Sequence, residues 1–226
     1  MSRLFDILLS SLVIIFLSPL FLPLSLLLRF SGEGEVFYRQ VRVGLRGESF
    51  YIYKFATMLK NSPNIGSGTL TMMNDPRILP LGNFLRKTKI NELPQLLNIL
   101  KGNMSFVGPR PLVPEGERNY TAEEKEIIRS VLPGATGIGS LVLRDEESYY
   151  AHLVDGKGFY TKVISPYKAK LEIWYVQNRS MGLDIRIIFS TVIAIIFPSW
   201  NPYDVFKDLP PIPQEMVESR LKLQKQ

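Results

Sequence analysis

The chain has 226 residues, no cysteine, and 27 Lys and Arg against 21 Asp and Glu, which gives a formal net charge of +6. This length allows one sizeable core, or one domain with an attached segment, and argues against two large domains. The lack of cysteine excludes disulfide frameworks and thiolate metal sites, and a single histidine, His152, excludes histidine-rich metal chemistry. The positive charge favours an anionic partner: nucleic acid, lipid headgroups or phosphorylated metabolites.

The N-terminal segment has the composition of a membrane anchor. Residues 7–28 form a run of 22 residues without a charge. As a helix this run is about 33 Å long, enough to cross a hydrocarbon core of about 30 Å. No small-residue cleavage site follows Leu28, which argues against a secretory signal peptide. Ser18-Pro19 lies near the middle, and cations flank both ends, so two courses are possible: a spanning helix with a proline kink, or a bent hairpin with both ends on the cytoplasmic face.

Two stretches rich in aromatic and β-branched residues follow the anchor. Residues 35–44 and 48–58 alternate partly and are separated by a glycine-bearing turn, so we predict a short β-hairpin. Residues 60–73 are polar and contain glycine, which predicts a mobile loop. Beyond it, Leu81, Phe84 and Leu85 share a helical face beside several cations. This pattern suits a helix that lies on an anionic membrane surface, or a half-buried helix with a solvated basic face.

The C-terminal half contains further helical signals. Thr121 and Glu124 form a capping box that predicts a helix through Val131. Residues 166–178 are typical of an amphipathic helix. Residues 185–197 form an apolar run too short to span a bilayer, so it is either a helix at the membrane interface, next to Trp200, or a buried core helix. The tail from Asp208 is proline-rich and then charged, and we predict that it frays.

Residues 86–111 combine cations, one carboxylate and two short apolar runs, which indicates an anion-binding element. Pro94 is suited to a first helical turn, so Glu92 lies at or near a helix start, where free backbone donors favour anions. A carboxylate there can hold Mg²⁺ that bridges a diphosphate, because Mg²⁺ takes only one or two protein carboxylates together with phosphates and water. A helix-capping glutamate is the alternative.

A second element of the same stretch is Arg110 between two prolines. The prolines stiffen the backbone, and the planar guanidinium can grip phosphate in two places, although a rigid turn alone also explains the pattern. Residues 144–147 and Asp184 offer further carboxylates. These either complete a metal site or pair with nearby bases.

Six blocks in one order resemble the bacterial sugar transferase family, the monotopic phosphoglycosyl transferases. The blocks are RLFDILLSSLVIIFLSP, VFYRQVRVG, YIYKFATM, DPRILPLGNFLRKTKINELPQLLNILKGNMSFVGPRPL, PGATG and NRSMGLDIRIIF. The resemblance implies transfer of a phosphosugar from a nucleotide sugar, with a UDP-sugar expected, to polyprenyl phosphate. It places the enzyme in the bacterial inner membrane, with the catalytic part facing the cytoplasm, at the start of glycan assembly (capsule, exopolysaccharide, O-antigen or glycoprotein).

The resemblance also implies roles for single residues. The N-terminal helix would be re-entrant, with a break at Ser18 and Pro19. The remaining roles are Glu92 as the catalytic Mg²⁺ ligand, Asp184 as a further aspartate of the metal site, and Arg110 and Arg86 as phosphate-binding residues.

Two residues depart from the family pattern. Asn91 stands where the family has the aspartate nucleophile, and a neutral carboxamide should not attack phosphorus. Ala56 stands where the family commonly has arginine, which predicts weaker binding of an anionic group. Three interpretations of the catalytic position Asn91 follow. Polyprenyl phosphate attacks the donor directly, or Glu92 attacks it. The third is an inactive protein, through natural divergence or a deliberate substitution of Asn91, that binds polyprenyl phosphate or a partner enzyme at the membrane.

The sequence therefore predicts an α+β fold with a re-entrant N-terminal helix, a small β-hairpin and interfacial amphipathic helices. The predicted parts are the membrane helix 1–30, the catalytic domain 31–200 and the C-terminal tail 201–226. The expected partners are a nucleotide sugar, polyprenyl phosphate, the lipid bilayer and downstream glycosyltransferases. Nucleic acid is disfavoured because the basic segments lack interleaved aromatics for base stacking. We expect the donor sugar to contact residues 60–73 and 144–158.

Overall fold

The computed structural model of the chain describes residues 3–66, 68, 71, 75–150 and 152–224. Over these residues it is a mixed α+β fold, as predicted, with one long N-terminal helix, two small sheets and a set of shorter helices. The strands are β1 (Phe37–Val43), β2 (Ser49–Phe55), β3 (Ser105–Val107) and β4 (Gly134–Thr136). The helices are α1 (Arg3–Arg29), α2 (Pro80–Lys87), α3 (Gln95–Lys101), α4 (Pro114–Glu117), α5 (Ala122–Ile128), α6 (Ile138–Val142), α7 (Glu147–Tyr150), α8 (Gly156–Phe159), α9 (Ser165–Asn178), α10 (Met181–Ile196) and α11 (Gln214–Gln224).

The N-terminal helix α1 contains the predicted break point without ending there. It runs from Arg3 to Arg29 with Pro19 and Pro23 inside. Pro19 has no N–H to donate to the Ile15 carbonyl, and the Ser18 hydroxyl donates to that carbonyl instead, at 2.8 Å. The helical assignment therefore continues through Ser18 and Pro19, and the re-entrant course stays a prediction. Within the described residues, α1 is the one helix long and apolar enough to cross a membrane.

Both ends of α1 contact the same globular part of the protein. At its start, Arg3 donates to backbone carbonyls at the end of α3, and the buried Asp6 accepts from the Ser105 hydroxyl at 3.0 Å. At its end, Leu24 and Leu28 are buried in a cluster with Phe55 of β2 and Leu85 of α2. Both ends of α1 are therefore anchored to the rest of the protein, the first by polar contacts and the second by apolar packing.

The predicted β-hairpin is confirmed. Strands β1 and β2 pair in antiparallel register, with Tyr38 opposite Lys54 and Arg42 opposite Phe50. Because side chains alternate between the faces of a strand, Tyr38, Arg42 and Lys54 project from one face of the hairpin. A buried asparagine of α3, Asn98, extends the hairpin edge, since its side chain accepts from the Tyr53 N–H and donates to the Tyr51 carbonyl.

A second, parallel pair of strands was not predicted. Ser105 of β3 lies opposite Gly134 of β4, and the pair joins the segment before the Pro-Arg-Pro turn to the PGATG segment. Glycine makes this approach possible, because a Cβ built on Gly134 would lie 2.1 Å from the Gly108 nitrogen. A Cβ on Gly137 would lie 2.2 Å from the Gly108 carbonyl oxygen.

Helix α2 is half-buried, which favours the second of its two sequence interpretations. Leu85 is buried in the cluster with α1 and Phe55, and Leu81 packs against that cluster. Phe84 alone of the three predicted membrane-facing side chains is mainly exposed. The first interpretation, a face that lies on the membrane surface, does not fit Leu85, because this side chain packs against Leu24, Leu28 and Phe55.

The other predicted helices exist with adjusted ends. The capping box at the start of α5 is present in both directions, between Thr121 and Glu124. Helix α5 ends at Ile128 rather than at Val131, because the chain turns there toward β4. Helix α9 matches the predicted helix closely. A π-helical turn at residues 160–164 precedes it.

Helix α10 combines both predicted environments. Leu183, Ile187 and Ala194 are buried in the main hydrophobic core. The opposite face is apolar and exposed, with Phe189 at 66% and Ile196 at 62% exposure. Neither a fully buried helix nor a purely interfacial helix describes α10, since it presents one apolar face to the core and another to the surroundings.

The prediction that the C-terminal tail frays is wrong. Residues 214–224 form α11, and Leu209 and Met216 are buried in the same core cluster as Tyr175 of α9. The Ser219 hydroxyl also donates to the Tyr149 carbonyl. The tail is ordered because its few apolar residues are spaced so that they pack against this core. This packing outweighs the tendency of a proline-rich, charged segment to fray.

Replacing Met216 by alanine is expected to lower the free energy of unfolding by about 2–4 kcal/mol, because Met216 is 0% exposed and its removal leaves a cavity. The neighbouring Val217 is 45% exposed, so Val217→Ala should change it by about 0.5 kcal/mol or less. Thermal unfolding of the detergent-solubilised variants measures the difference. Equal melting temperatures for the two variants would show that α11 does not pack on the core.

Candidate active site

The centre of the candidate site is the Glu92 carboxylate. Its Oε1 accepts from Lys54 Nζ of β2 at 3.1 Å and from Arg110 Nη2 of the Pro-Arg-Pro turn at 3.2 Å. All three side chains are partly shielded from solvent, with Glu92 at 18% and Lys54 at 15% exposure. One carboxylate thus joins the hairpin to the turn that follows β3.

Local backbone structure fixes the position of Glu92. A single 3₁₀ turn, Ile90–Glu92, precedes α3, and Lys89 begins it in the left-handed region with φ 59°. Pro94 is the N-cap of α3, one position before the predicted first turn, so the helix begins at Gln95. Glu92 therefore lies just ahead of a helix start, as the sequence predicts.

Electrostatics keep Glu92 ionised. Burial disfavours its charged form. The positive charges of Lys54, Arg110 and Lys89 outweigh burial and hold the pKa of the Glu92 carboxyl well below its usual value. In return, the Glu92 charge raises the pKa of Arg110. The carboxylate at the centre of the site is ionised throughout the physiological range.

The positively charged side chains around Glu92 outnumber its single negative charge. Burial lowers the pKa of Lys54 to about 8, against the attraction of Glu92, and the charges of Arg110 and Arg42 lower it further. Burial and the charge of Arg110 also lower the pKa of Arg42 to about 10. Arg42 is held by the Pro111 carbonyl at 2.9 Å. A cluster in which buried cations repel one another around one carboxylate is stabilised by a bound anion.

Asn91 lies next to Glu92 in the 3₁₀ turn and is 5% exposed. Its Oδ1 is buried and has no hydrogen-bond partner among the described residues. The Asn91 side chain is a neutral amide, so it adds no negative charge beside Glu92.

Arg86 lies beside the central cluster and connects the two segments in which donor-sugar contacts are predicted. Its Nη2 donates to Thr71 Oγ1 at 3.0 Å and lies 3.5 Å from Glu147 Oε1. The Tyr150 hydroxyl donates to the Thr71 carbonyl at 3.2 Å. The described part of the predicted loop 60–73 thus contacts α7 next to Arg86. Residues 67, 69, 70, 72 and 73 of that loop lie outside the described residues.

The acidic residues 145–147 pair with nearby basic side chains. The sequence left this pairing open as the alternative to a metal site. Glu146 bonds to Lys168 at 2.7 Å and Glu147 lies near Arg86. Asp145 lies 3.5 Å from Arg144, its neighbour in the chain. These contacts place Glu146 and Glu147 at the edge of the cationic cluster.

Asp184 lies in another hydrogen-bond network. It is fully buried at the start of α10, where its Oδ1 accepts from the Tyr175 hydroxyl at 2.7 Å. That hydroxyl also lies 3.2 Å from the Val107 carbonyl of β3. The structure therefore brings Glu92 and Arg110 into direct contact and does not bring Asp184 into contact with either. Its role as a metal ligand stays a prediction.

The oxygen atoms of the site fit a magnesium ion that is shared with a substrate. Both cations use Glu92 Oε1, which leaves Oε2 without a hydrogen bond to a described residue. No group of three or more His, Cys, Asp or Glu side chains that could hold a metal occurs among the described residues. A hard cation bound by one carboxylate, diphosphate oxygens and water needs no such group.

Most of the chain matches the sequence pattern of one known family. Residues 1–198 match the bacterial sugar transferase family. The chain belongs to the bacterial sugar transferase family. It is 35% identical over 207 residues to exopolysaccharide production protein ExoY of Sinorhizobium fredii, covering 85% of this chain and 84% of that protein.

Larger relatives share the same region. The undecaprenyl-phosphate galactose phosphotransferase of Salmonella typhimurium is 33% identical over 210 residues, which cover 87% of this chain and 40% of that protein. The UDP-glucose:undecaprenyl-phosphate glucose-1-phosphate transferase of Escherichia coli is 35% identical over 191 residues, covering 83% of this chain and 38% of that protein. The chain thus has the size of ExoY and spans about two fifths of these larger transferases.

Three residues of the site were not among those predicted from sequence. Lys54 and Arg42 come from the hairpin, where a charged side chain in an aromatic-rich strand was the available signal. Glu172 of α9 contacts the backbone of Arg110 from beneath, and nothing in the sequence around it marks that contact.

Proposed function

We propose that this protein transfers sugar 1-phosphate from a nucleotide sugar, expected to be a UDP-sugar, to undecaprenyl phosphate. The product begins the assembly of an exopolysaccharide or capsule. Membership of the bacterial sugar transferase family and the names of the related undecaprenyl-phosphate transferases support this reaction. We place the catalytic function in residues 31–200.

The observation that carries the proposal is the excess of positive charge around Glu92. Lys54, Arg42 and Arg110 lie close enough to repel one another, and burial depresses the pKa of two of them. A diphosphate supplies the negative charge that this cluster lacks. Arg110 suits the role because its planar guanidinium can donate two parallel hydrogen bonds to phosphate oxygens.

In the proposed reaction, a phosphate oxygen of undecaprenyl phosphate attacks the β-phosphorus of the donor. The bond between that phosphorus and the bridging oxygen to the α-phosphate breaks, and UMP leaves with the bond electrons. Arg110 and Lys54 orient the diphosphate and stabilise the charge that grows on its oxygens, which is the main requirement of phosphoryl transfer. Mg²⁺ held by Glu92 supplies further charge neutralisation when bound. Arg86 is proposed as a second phosphate-binding residue.

We infer that this chain uses the acceptor as the nucleophile rather than its own side chain. Asn91 is neutral and cannot form the phosphosugar intermediate that an aspartate forms. Glu92 is paired with two cations, and this pairing lowers both its pKa and its reactivity as a nucleophile. The charges of the site therefore favour direct transfer, in which the acceptor phosphate attacks the donor.

The proposal also places the protein at the cytoplasmic membrane with both ends of α1 on the cytoplasmic face. The contacts of Arg3 and Asp6 with α3 and β3, and of Leu28 with α2, support a re-entrant course. The exposed apolar faces of α1 and α10 are suited to the bilayer. The site then meets the phosphate of a lipid acceptor at the level of the headgroups.

The donor sugar is proposed to bind where Arg86 joins residues 60–73 to residues 144–158. The contacts of Arg86 with Thr71 and Glu147 support this placement. Downstream glycosyltransferases are proposed as partners that extend the lipid-linked sugar. The alternative function is a non-catalytic membrane protein that binds the lipid phosphate.

The test of the proposed function is incubation of the detergent-solubilised protein with undecaprenyl phosphate, Mg²⁺ and a panel of UDP-sugars. Mass spectrometry should detect an undecaprenyl diphosphate sugar with one of the donors, and Glu92→Ala should abolish it. Binding of undecaprenyl phosphate in vesicles, without product from any donor, would contradict the proposal and support the non-catalytic alternative.

A further inference from the structure

The Pro-Arg-Pro turn has a single backbone donor, because proline carries no N–H. That donor, the Arg110 N–H, points to Oε1 of Glu172 on α9, with 3.2 Å between nitrogen and oxygen. Glu172 is 2% exposed. A buried carboxylate therefore fixes the backbone of the residue whose guanidinium bonds to Glu92.

The fold leaves a specific space for the Glu172 carboxylate. A Cβ built on Gly139 of α6 would lie 2.4 Å from Glu172 Oε1, so a larger residue there would displace the carboxylate. The rest of the turn is held by strand β4 and its flanks, since the Gly108 N–H donates to the Thr136 carbonyl at 3.0 Å and the Gly134 N–H donates to the Pro109 carbonyl at 2.9 Å. Glu172 accepts from the one backbone N–H of the turn, and Arg42 of β1 donates to the Pro111 carbonyl at 2.9 Å.

Glu172 is costly to keep buried, which argues that its contact has a purpose. Its Oε2 is buried without a hydrogen-bond partner among the described residues. Burial raises the pKa of Glu172 to about 7, against the Arg110 N–H and the charges of Lys168 and Arg110. The charged and titratable groups that face it are Lys168 of α9, Arg110 of the turn, Tyr120 before α5, and the paired Glu117 and Arg129, which share a small cavity with it.

We propose that Glu172 is a positioning residue for phosphosugar transfer. It holds the Arg110 backbone so that the guanidinium reaches Glu92 and the diphosphate together. The inference rests on the proposed function. It goes beyond that function by assigning a role to a residue that touches neither substrate nor reacting atoms.

The ionised form of Glu172 gives a readout that separates positioning from stability. Since the folded pKa is raised above the usual value of a glutamate, its protonation stabilises the fold at low pH, and that contribution is lost as the pH rises through about 7. The charged carboxylate accepts the Arg110 N–H more strongly than the neutral acid does. Activity should therefore rise through about pH 7 while the contribution of this group to stability falls.

The test compares Glu172→Leu, Glu172→Gln and Gly139→Ala with the natural chain, and uses Leu171→Ala as the control. Leu171 is the fully buried neighbour of Glu172 on α9, and its side chain packs in the main hydrophobic core. Glu172→Leu and Gly139→Ala should lower kcat/KM by about 10- to 100-fold, as the loss of groups that orient a binding residue does. Glu172→Gln keeps an acceptor oxygen, so its kcat/KM at the optimal pH should stay within about threefold of the natural value. Its pH profile should lack the fall in activity below about pH 7, because glutamine does not titrate.

Leu171→Ala should lower the melting temperature at least as much as Glu172→Leu does. At temperatures below its melting temperature, Leu171→Ala should keep the kcat/KM of the natural chain. The inference would be overturned, while the proposed function stands, if Gly139→Ala had the kcat/KM of the natural chain. It would also be overturned if the activity of Glu172→Gln still fell below about pH 7. A natural chain without activity toward any UDP-sugar would instead contradict the proposed function itself. If Glu172→Leu fails to fold, Gly139→Ala and the pH profile of Glu172→Gln still decide the matter.

Discussion

Replacing Arg110 by alanine is expected to lower kcat/KM for phosphosugar transfer by about 10²- to 10³-fold, the range found when one preorganised donor to a developing negative charge is removed. Arg110 donates to Glu92 Oε1, and its own backbone is fixed by Glu172. The variant removes the guanidinium that we propose binds the donor phosphate, and it also leaves Glu92 with one cation fewer. Initial rates of UMP release, at saturating undecaprenyl phosphate and varied donor, measure the loss.

Two further variants distinguish phosphate binding from simple loss of charge. Arg110→Lys keeps the charge and loses the planar pair of donors, so it should recover only part of the rate. Lys170→Ala removes an exposed cation of α9 outside the cluster and should leave kcat/KM unchanged. Equal losses in Arg110→Ala and Lys170→Ala would show that the protein responds to net charge and that Arg110 does not bind the donor.

Replacing Glu92 by glutamine is expected to lower kcat by about 10³-fold, which corresponds to about 4 kcal/mol of transition-state stabilisation. Glutamine has almost the same shape, so the 3₁₀ turn should keep its structure. The variant loses the negative charge that pairs with Lys54 and Arg110 and that, in the proposed function, holds Mg²⁺. The rates should be measured over a range of Mg²⁺ concentrations, and the loss should persist when Mg²⁺ is raised.

Glu117→Gln is the matched control for that substitution. Glu117 is also buried and paired with an arginine, and among the described residues its side-chain hydrogen bonds and ion pair go to Arg129 rather than to Arg110. Glu117→Gln should reduce stability and leave the Mg²⁺ dependence of the rate as it is in the natural chain. Full activity of Glu92→Gln at ordinary Mg²⁺ concentration would remove Glu92 from the mechanism.

Sequence reasoning predicted the elements whose signals are local. The hairpin, the capping box at Thr121 and helix α9 each depend on residues that are close together in the chain. The parallel pair β3 and β4 was missed because each strand has only three residues and the pairing joins distant segments. What permits this pair is backbone contact at glycines, and such contact leaves no periodic pattern in the sequence.

The same distinction separates the site residues that were predicted from those that were not. Glu92 and Arg110 were both singled out from one unusual segment, and the structure brings them into direct contact. Lys54 reaches Glu92 only through the register of the hairpin, and Glu172 reaches Arg110 only through the packing of α9 under the turn. Tertiary structure supplies both contacts.

The failed prediction about the C-terminal tail has a similar cause. Proline and charge dominate its composition, which is typical of a frayed end. Leu209 and Met216 are nevertheless buried, because the core around Tyr175 and Ile187 offers an apolar surface that their spacing matches. A few well-placed apolar residues suffice when such a surface already exists.

The most direct test of direct transfer is the UMP released without undecaprenyl phosphate, counted per enzyme molecule, for the natural chain and for Asn91→Asp. Because Asn91 cannot accept the phosphosugar, we predict no UMP from the natural chain until acceptor is added, and a rate that Asn91→Asp does not raise. A burst of about one UMP per natural enzyme molecule before acceptor is added, with phosphosugar attached to the protein, would contradict the mechanism.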